Sequence, residues 1–99
     1  MAAEEAVEAI TVIGSRADTL EYLGKEGYNV LNLADWTAEK NISWLNDAIN
    51  RGDKIMLATD PIQHQALMQS LDKASAFLDL EMPYLYESGF INKGKYMVR

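Results

Sequence analysis

Three short aliphatic runs, each handed directly to a helix-start signal, constrain this chain more than any other feature. Ile10-Thr11-Val12-Ile13 stops at Gly14. Tyr28 to Leu33 stops before Ala34-Asp35-Trp36-Thr37, and Lys54-Ile55-Met56-Leu57-Ala58 stops before Thr59-Asp60-Pro61. Runs of this length, rich in β-branched residues and bounded by turn formers, read as buried strands.

The segments between them read as helices. Asp18 with Glu21 three residues on matches a capping box, with Leu20 and Leu23 inward and Gly27 suited to the terminal turn. Thr37 caps the next helix, in which Ile42, Leu45 and Ile49 recur at helical spacing beside Trp44 and Ala48. Arg51 complements the carboxyl end of its dipole and Gly52 stops it. Pro61 opens a third helix behind a cap residue. From Ile62 to Ser88 the composition is helical, with one stripe of Ala66, Leu67 and Leu71 and another of Phe77, Leu80, Tyr84 and Leu85. Pro83 should kink or split the later helix, and Gly89 ends it. Phe90-Ile91 and Tyr96-Met97-Val98 flank Asn92-Lys93-Gly94-Lys95, as a hairpin or as one edge strand after a turn.

Strand and helix in alternation predict an α/β domain over residues 10–99. The expected architecture is a small, three-layer-like sheet of roughly three to five strands with about three or four flanking helices. Most strands should be parallel, with a C-terminal edge strand or hairpin. Residues 1–9, alanine and glutamate with little to bury, read as a linker or leader.

Composition narrows the chemistry. There is no cysteine, which excludes disulfides, thiol catalysis and thiolate zinc sites. One histidine leaves zinc only an unfavourable, mostly carboxylate ligand set, and no metal or cofactor is expected. No apolar run is long enough to span a membrane. The net charge of −6 argues against broad nucleic-acid affinity, although Lys93, Lys95 and Arg99 follow the last acid, Glu87, and form a local basic end.

In open α/β sheets ligands gather outside the carboxyl ends of the strands. Parallel strands would bring Gly14-Ser15-Arg16-Ala17-Asp18, Ala34-Asp35-Trp36-Thr37 and Thr59-Asp60-Pro61 with His64 to one rim. There His64, whose residue type titrates near neutrality, is a candidate general base or an ordinary exposed helix residue. Arg16 is a candidate phosphate ligand or a plain surface arginine. Asp18, Asp35 and Asp60 are either an acidic cluster or three caps and turns. Trp36 and Trp44 are either core or a base-stacking platform. Lys40 and Asn41 open their helix within reach of the rim. The Gly14-Ser15 turn lacks the glycine spacing of a nucleotide-binding loop, and no serine sits in a nucleophile elbow.

Two stretches carry a resemblance. One comprises Val12-Ile13-Gly14, Asp18, Gly27-Tyr28-Asn29-Val30-Leu31-Asn32-Leu33, Trp36-Thr37, Lys40-Asn41, Trp44-Leu45, Ala48-Ile49, Arg51-Gly52 and Leu57-Ala58. The other comprises Phe77, Leu80-Glu81, Tyr84-Leu85, Gly89-Phe90, Gly94 and Tyr96-Met97-Val98. Over residues 10–99 the chain resembles a C-terminal effector domain of bacterial polymorphic toxins, such as Rhs-type proteins and contact-dependent growth inhibition exoproteins. Pro83 and the stretch around His64 depart from that pattern.

The resemblance implies a toxic tip exported on a larger protein and delivered to the cytoplasm of a target bacterium. It implies a nuclease, often against transfer RNA, that a cognate immunity protein neutralises. The expected reaction is RNA cleavage. His64, Arg16, Asp18, Asp35 and Lys40 are the candidate catalytic residues, and Trp36, Thr37, Asn41, Lys93 and Lys95 the candidate substrate contacts. A host protein such as elongation factor Tu would help so acidic a chain reach RNA. The alternatives are DNA cleavage, attack on a nucleotide cofactor, or a non-enzymatic interaction or immunity-type domain with an acidic surface for a basic partner.

Overall fold

The computed structural model describes residues 9–99, so the expected leader and its Glu4, Glu5 and Glu8 lie outside the described residues. The chain runs β1 (Ile10–Ile13), α1 (Arg16–Thr19) continued by a 3-10 turn (Leu20–Tyr22), β2 (Tyr28–Val30), α2 (Ala38–Arg51) and β3 (Lys54–Leu57). It continues with α3 (Pro61–Leu71), a π turn (Phe77–Glu81), α4 (Met82–Glu87), β4 (Ile91–Lys93) and β5 (Tyr96–Val98).

The five strands form one sheet in the order β2-β1-β3-β5-β4. β1 pairs in parallel with β2 and with β3, as the strand-helix alternation predicts. The expectation of a mostly parallel sheet is not met, because β5 pairs antiparallel with both β3 and β4. The physical reason is the hairpin: Gly94, at φ +64°, lets β4 return directly as β5, and a tight return can only be antiparallel.

Ile13, Ile55, Leu57 and Met97 rise from one face of the sheet into a core closed by Leu45, Ala48 and Ile49 of α2 and by Phe77, Met82 and Leu85 of the π turn and α4. Tyr84 of α4 ties these two helices together by donating its hydroxyl to Asn46 Oδ1 of α2 at 2.8 Å. The four-residue spacing that placed Leu45 and Ile49 inward therefore holds.

Local signals differ from expectation in several places, beginning with Leu20 and Leu23, expected inward but 39% and 45% exposed. Ser15, not Asp18, caps α1, its Oγ accepting from Asp18 N–H at 3.3 Å. Gly14 is the cause: a Cβ there would lie 2.5 Å from Thr59 Oγ1, so only glycine lets the end of β1 abut the end of β3 and turn this early. The stripe of Ala66, Leu67 and Leu71 is exposed, and α3 has no buried residue. Its apolar side chains are divided between opposite sides, Ile62 and Ala66 against Leu67 and Leu71, so no single face can close on the core. Pro83 does not interrupt the helix, because the π turn runs directly into α4. The N–H of Met82 reaches back five residues to Phe77 O, and the wider turn precedes the missing proline donor.

Candidate active-site cleft

The ends of β1 and β3 are locked together by polar side chains. Thr59 Oγ1 accepts from Ser15 N–H at 2.8 Å and donates to Asp18 Oδ2 at 2.6 Å. Asp60 caps α3 through Ile62 N–H at 2.9 Å and Gln63 N–H at 3.3 Å, with Pro61 in the first turn. α1, starting at Arg16, follows β1, and α3, which carries His64, follows β3.

Between them lies a cleft of about 640 Å³. Its floor is the end of β1, and its walls include Arg16, Trp36, Asn41, His64, Ser75 and Glu81, with Phe77 and Leu80 supplying apolar surface. The shared rim inferred from parallel strands thus holds for Arg16 and His64.

Asn41 organises one wall. It is 1% exposed in the first turn of α2, where Thr37 caps the helix by accepting from Lys40 N–H at 3.1 Å. Asn41 Oδ1 accepts from Trp36 Nε1 at 3.0 Å and Asn41 Nδ2 donates to Glu81 Oε2 at 2.9 Å. Trp36 is held this way with its ring 46% exposed, outside the core. Trp44, by contrast, packs against the core, so the two tryptophans do not form one platform.

Glu81 is 5% exposed and, among the described residues, faces no cationic partner. Burial pushes its carboxyl up from 4.5 to about 7, and the Asn41 hydrogen bond only partly opposes this. Its second oxygen, Oε1, has no protein partner and is not sealed, so it opens on the cleft. A carboxyl group in this setting is a proton donor near neutral pH.

Across the cleft His64 Nε2 lies 3.2 Å from Ser75 Oγ, and its ring stands against Phe77 at a centroid distance of 6.0 Å. Ser75 Oγ also accepts from Leu78 N–H at 3.4 Å, which fixes the hydroxyl at the start of the helical segment. Arg16 is exposed and spends one N–H on Asn32 Oδ1 at 3.3 Å, leaving further donors toward solvent and cleft.

Other expected site residues lie elsewhere. Asp18 is held in the Thr59 lock and does not line the cleft. Asp35 is exposed in the turn before α2, and its backbone carbonyl takes the Lys40 ammonium at 3.1 Å. Lys40 and Thr37 therefore order the α2 entry rather than the cleft wall. Lys93 and Lys95 belong to the β4–β5 hairpin. The acidic-cluster reading fails: Asp18, Asp35 and Asp60 do not converge, and among the described residues no group of three His, Asp or Glu could hold a metal.

Among the cleft residues without a role in the sequence reading are Ser75, Asp79 and Glu81. For Glu81 a signal was present. It stands between Phe77 and Leu85 at four-residue spacing, a lone acid inside an apolar helix stripe. Compared with protein families, curated proteins and solved structures, the chain matches none.

Proposed function

We propose that this domain cleaves RNA without a metal and that it is the effector tip of a secreted antibacterial polymorphic toxin. The observation that carries the reading is one cleft walled by Arg16, His64 and a buried, uncharged-leaning Glu81. These are the three roles that metal-free phosphodiester cleavage requires. Arg16 neutralises the phosphate. His64 takes the 2′-hydroxyl proton as O2′ attacks phosphorus. Glu81 gives its proton to O5′ as the P–O5′ bond breaks, leaving a 2′,3′-cyclic phosphate and a free 5′-hydroxyl. Half-exposed Trp36 offers a stacking face for an unpaired base. Burial favours the neutral form of Glu81, which suits an acid, and Asn41 steadies the carboxylate left behind.

A cognate immunity protein, delivery into a target bacterium and a host carrier such as elongation factor Tu belong to the same proposal. Induction of the domain inside bacteria tests it. The expected result is growth arrest with fragmented RNA, relieved by Arg16→Ala, His64→Ala or Glu81→Gln. Normal growth, with total RNA left intact in the presence and absence of bacterial extract, contradicts it. One observation favours a second reading as an interaction module. Leu67 and Leu71, on one side of α3, are each about half exposed. Tight partner binding without any RNA loss would select that reading.

A further inference from the structure

We infer that the β4–β5 hairpin is a binding platform for single-stranded RNA, distinct from the cleft. It rests on a different part of the sheet and on different side chains. Lys93 and Tyr96 are direct cross-strand partners, so they rise from the same face, and Tyr96 is likewise opposite Met56 of β3. Ile91 and Val98 form the next pair on that face. It is the face opposite Ile55 and Met97, which the helical layer covers. Here Tyr96 and Val98 are each 38% exposed and Ile91 is 53% exposed.

The charge on this part of the molecule opposes that of the whole. The chain carries −6, yet no acid follows Glu87, while Lys93, Lys95 and Arg99 all do. A trough of about 550 Å³ at the amino end of β3 is lined by Lys54, Lys93, Tyr96, Val98 and Arg99 and reaches the core-side residues Ile55 and Met97. The acid in its lining, Asp53, is already engaged by Arg51 at 2.8 Å and by the Thr11 hydroxyl at 2.9 Å. Arg99 is held over the Phe90 ring and donates to Ser88 O at 3.0 Å, which fixes a cation at the trough end. An exposed ring beside Lys93 is the chemistry of a single strand: a cation for the backbone, a π face for an unstacked base.

The turn and the trough lie at opposite ends of β3. Leu57 N–H donates to Lys95 O, so the hairpin turn sits at the carboxyl end of β3, where Arg16 and His64 also lie, whereas Lys54 and Arg99 sit at its amino end. The platform gives an acidic chain a local way to hold RNA and deepens the RNA reading of the cleft.

The test is fluorescence anisotropy of a labelled twelve-nucleotide oligouridine with the full chain, at several salt concentrations. All proteins carry Glu81→Gln, so binding is read without cleavage. The expected result is salt-sensitive binding. Lys93→Gln with Lys95→Gln should weaken it about tenfold or more and flatten the log–log salt slope by about 1.4. Tyr96→Leu should weaken it about fivefold or more while leaving the slope unchanged. Unchanged thermal melting of these surface variants excludes loss of fold as the cause. No binding by the parent at low salt would overturn the inference. So would binding indifferent to all three substitutions. Competition by polyglutamate as effective as by RNA, with Tyr96→Leu neutral, would also overturn it and assign the face to an acidic protein. Binding without cleavage by the wild-type chain would sink the cleft reading alone, and cleavage without hairpin dependence would sink this one alone.

Discussion

Replacing Glu81 by glutamine should stabilise the domain, and by an amount that depends on pH. The carboxyl is buried without a cation, and its affinity for a proton is raised from 4.5 to about 7. Between those values the unfolded chain releases the proton while the folded chain keeps it. Stability therefore is highest below about 4.5, falls as pH rises, and levels off above about 7. At about 1.4 kcal/mol per pH unit the full loss amounts to about 3 kcal/mol. Glutamine keeps a carbonyl to accept from Asn41 Nδ2 and places its amide where Oε1 already opens on the cleft, so no new buried donor is orphaned. The variant should gain about 3 kcal/mol at pH 8, a melting shift on the order of 10–20 °C, and almost nothing at pH 4.5. Urea unfolding of both proteins across pH 4 to 9 reads this directly. A gain that is independent of pH, or larger in acid than in base, would refute the reasoning.

Further outcomes follow from the same geometry. Thr59→Val removes the hydroxyl that serves both Ser15 N–H and Asp18, and should cost about 1–3 kcal/mol by urea unfolding; a cost near zero would dismiss the lock. Gly14→Ala drives a methyl to 2.5 Å from Thr59 Oγ1, so its melting temperature should drop clearly, by about 1–3 kcal/mol of stability. His64→Ala should lower RNA cleavage by about 10²–10⁴-fold with little change in stability, in single-turnover assays. Cleavage by the wild-type domain should decline as pH rises through about 7, where Glu81 loses its proton, and a rate that keeps rising to pH 9 would remove it from the acid role.

The sheet was legible as far as its periodicity reached. β1, β2 and β3 are apolar runs that end in turn residues, and that pattern is enough to propose parallel pairing. α2 was legible for the same reason, with Thr37 and Gly52 marking its ends. The antiparallel half was ambiguous because Asn92-Lys93-Gly94-Lys95 suits either a hairpin turn or a loop, and only strand pairing decides. α3 misled because helical propensity says nothing about whether a helix is covered. The rim brought Arg16 and His64 together as expected, since both follow strands that end side by side. Asp18, Asp35 and Lys40 lie off the cleft lining: Asp18 is held by the Thr59 hydroxyl and Lys40 by the Asp35 backbone carbonyl, pairings between residues that sequence order does not reveal. Glu81 stayed hidden because its burial depends on a π turn and on Asn41, forty residues earlier.

End-mapping of RNA treated with the domain in excess chelator tests the central claim most directly. The account predicts fragments ending in 2′,3′-cyclic phosphate and starting with 5′-hydroxyl, formed by the wild type and lost together in Arg16→Ala, His64→Ala and Glu81→Gln. Fragments that vanish with chelator, or that form equally well in the Glu81→Gln and His64→Ala variants, would contradict it.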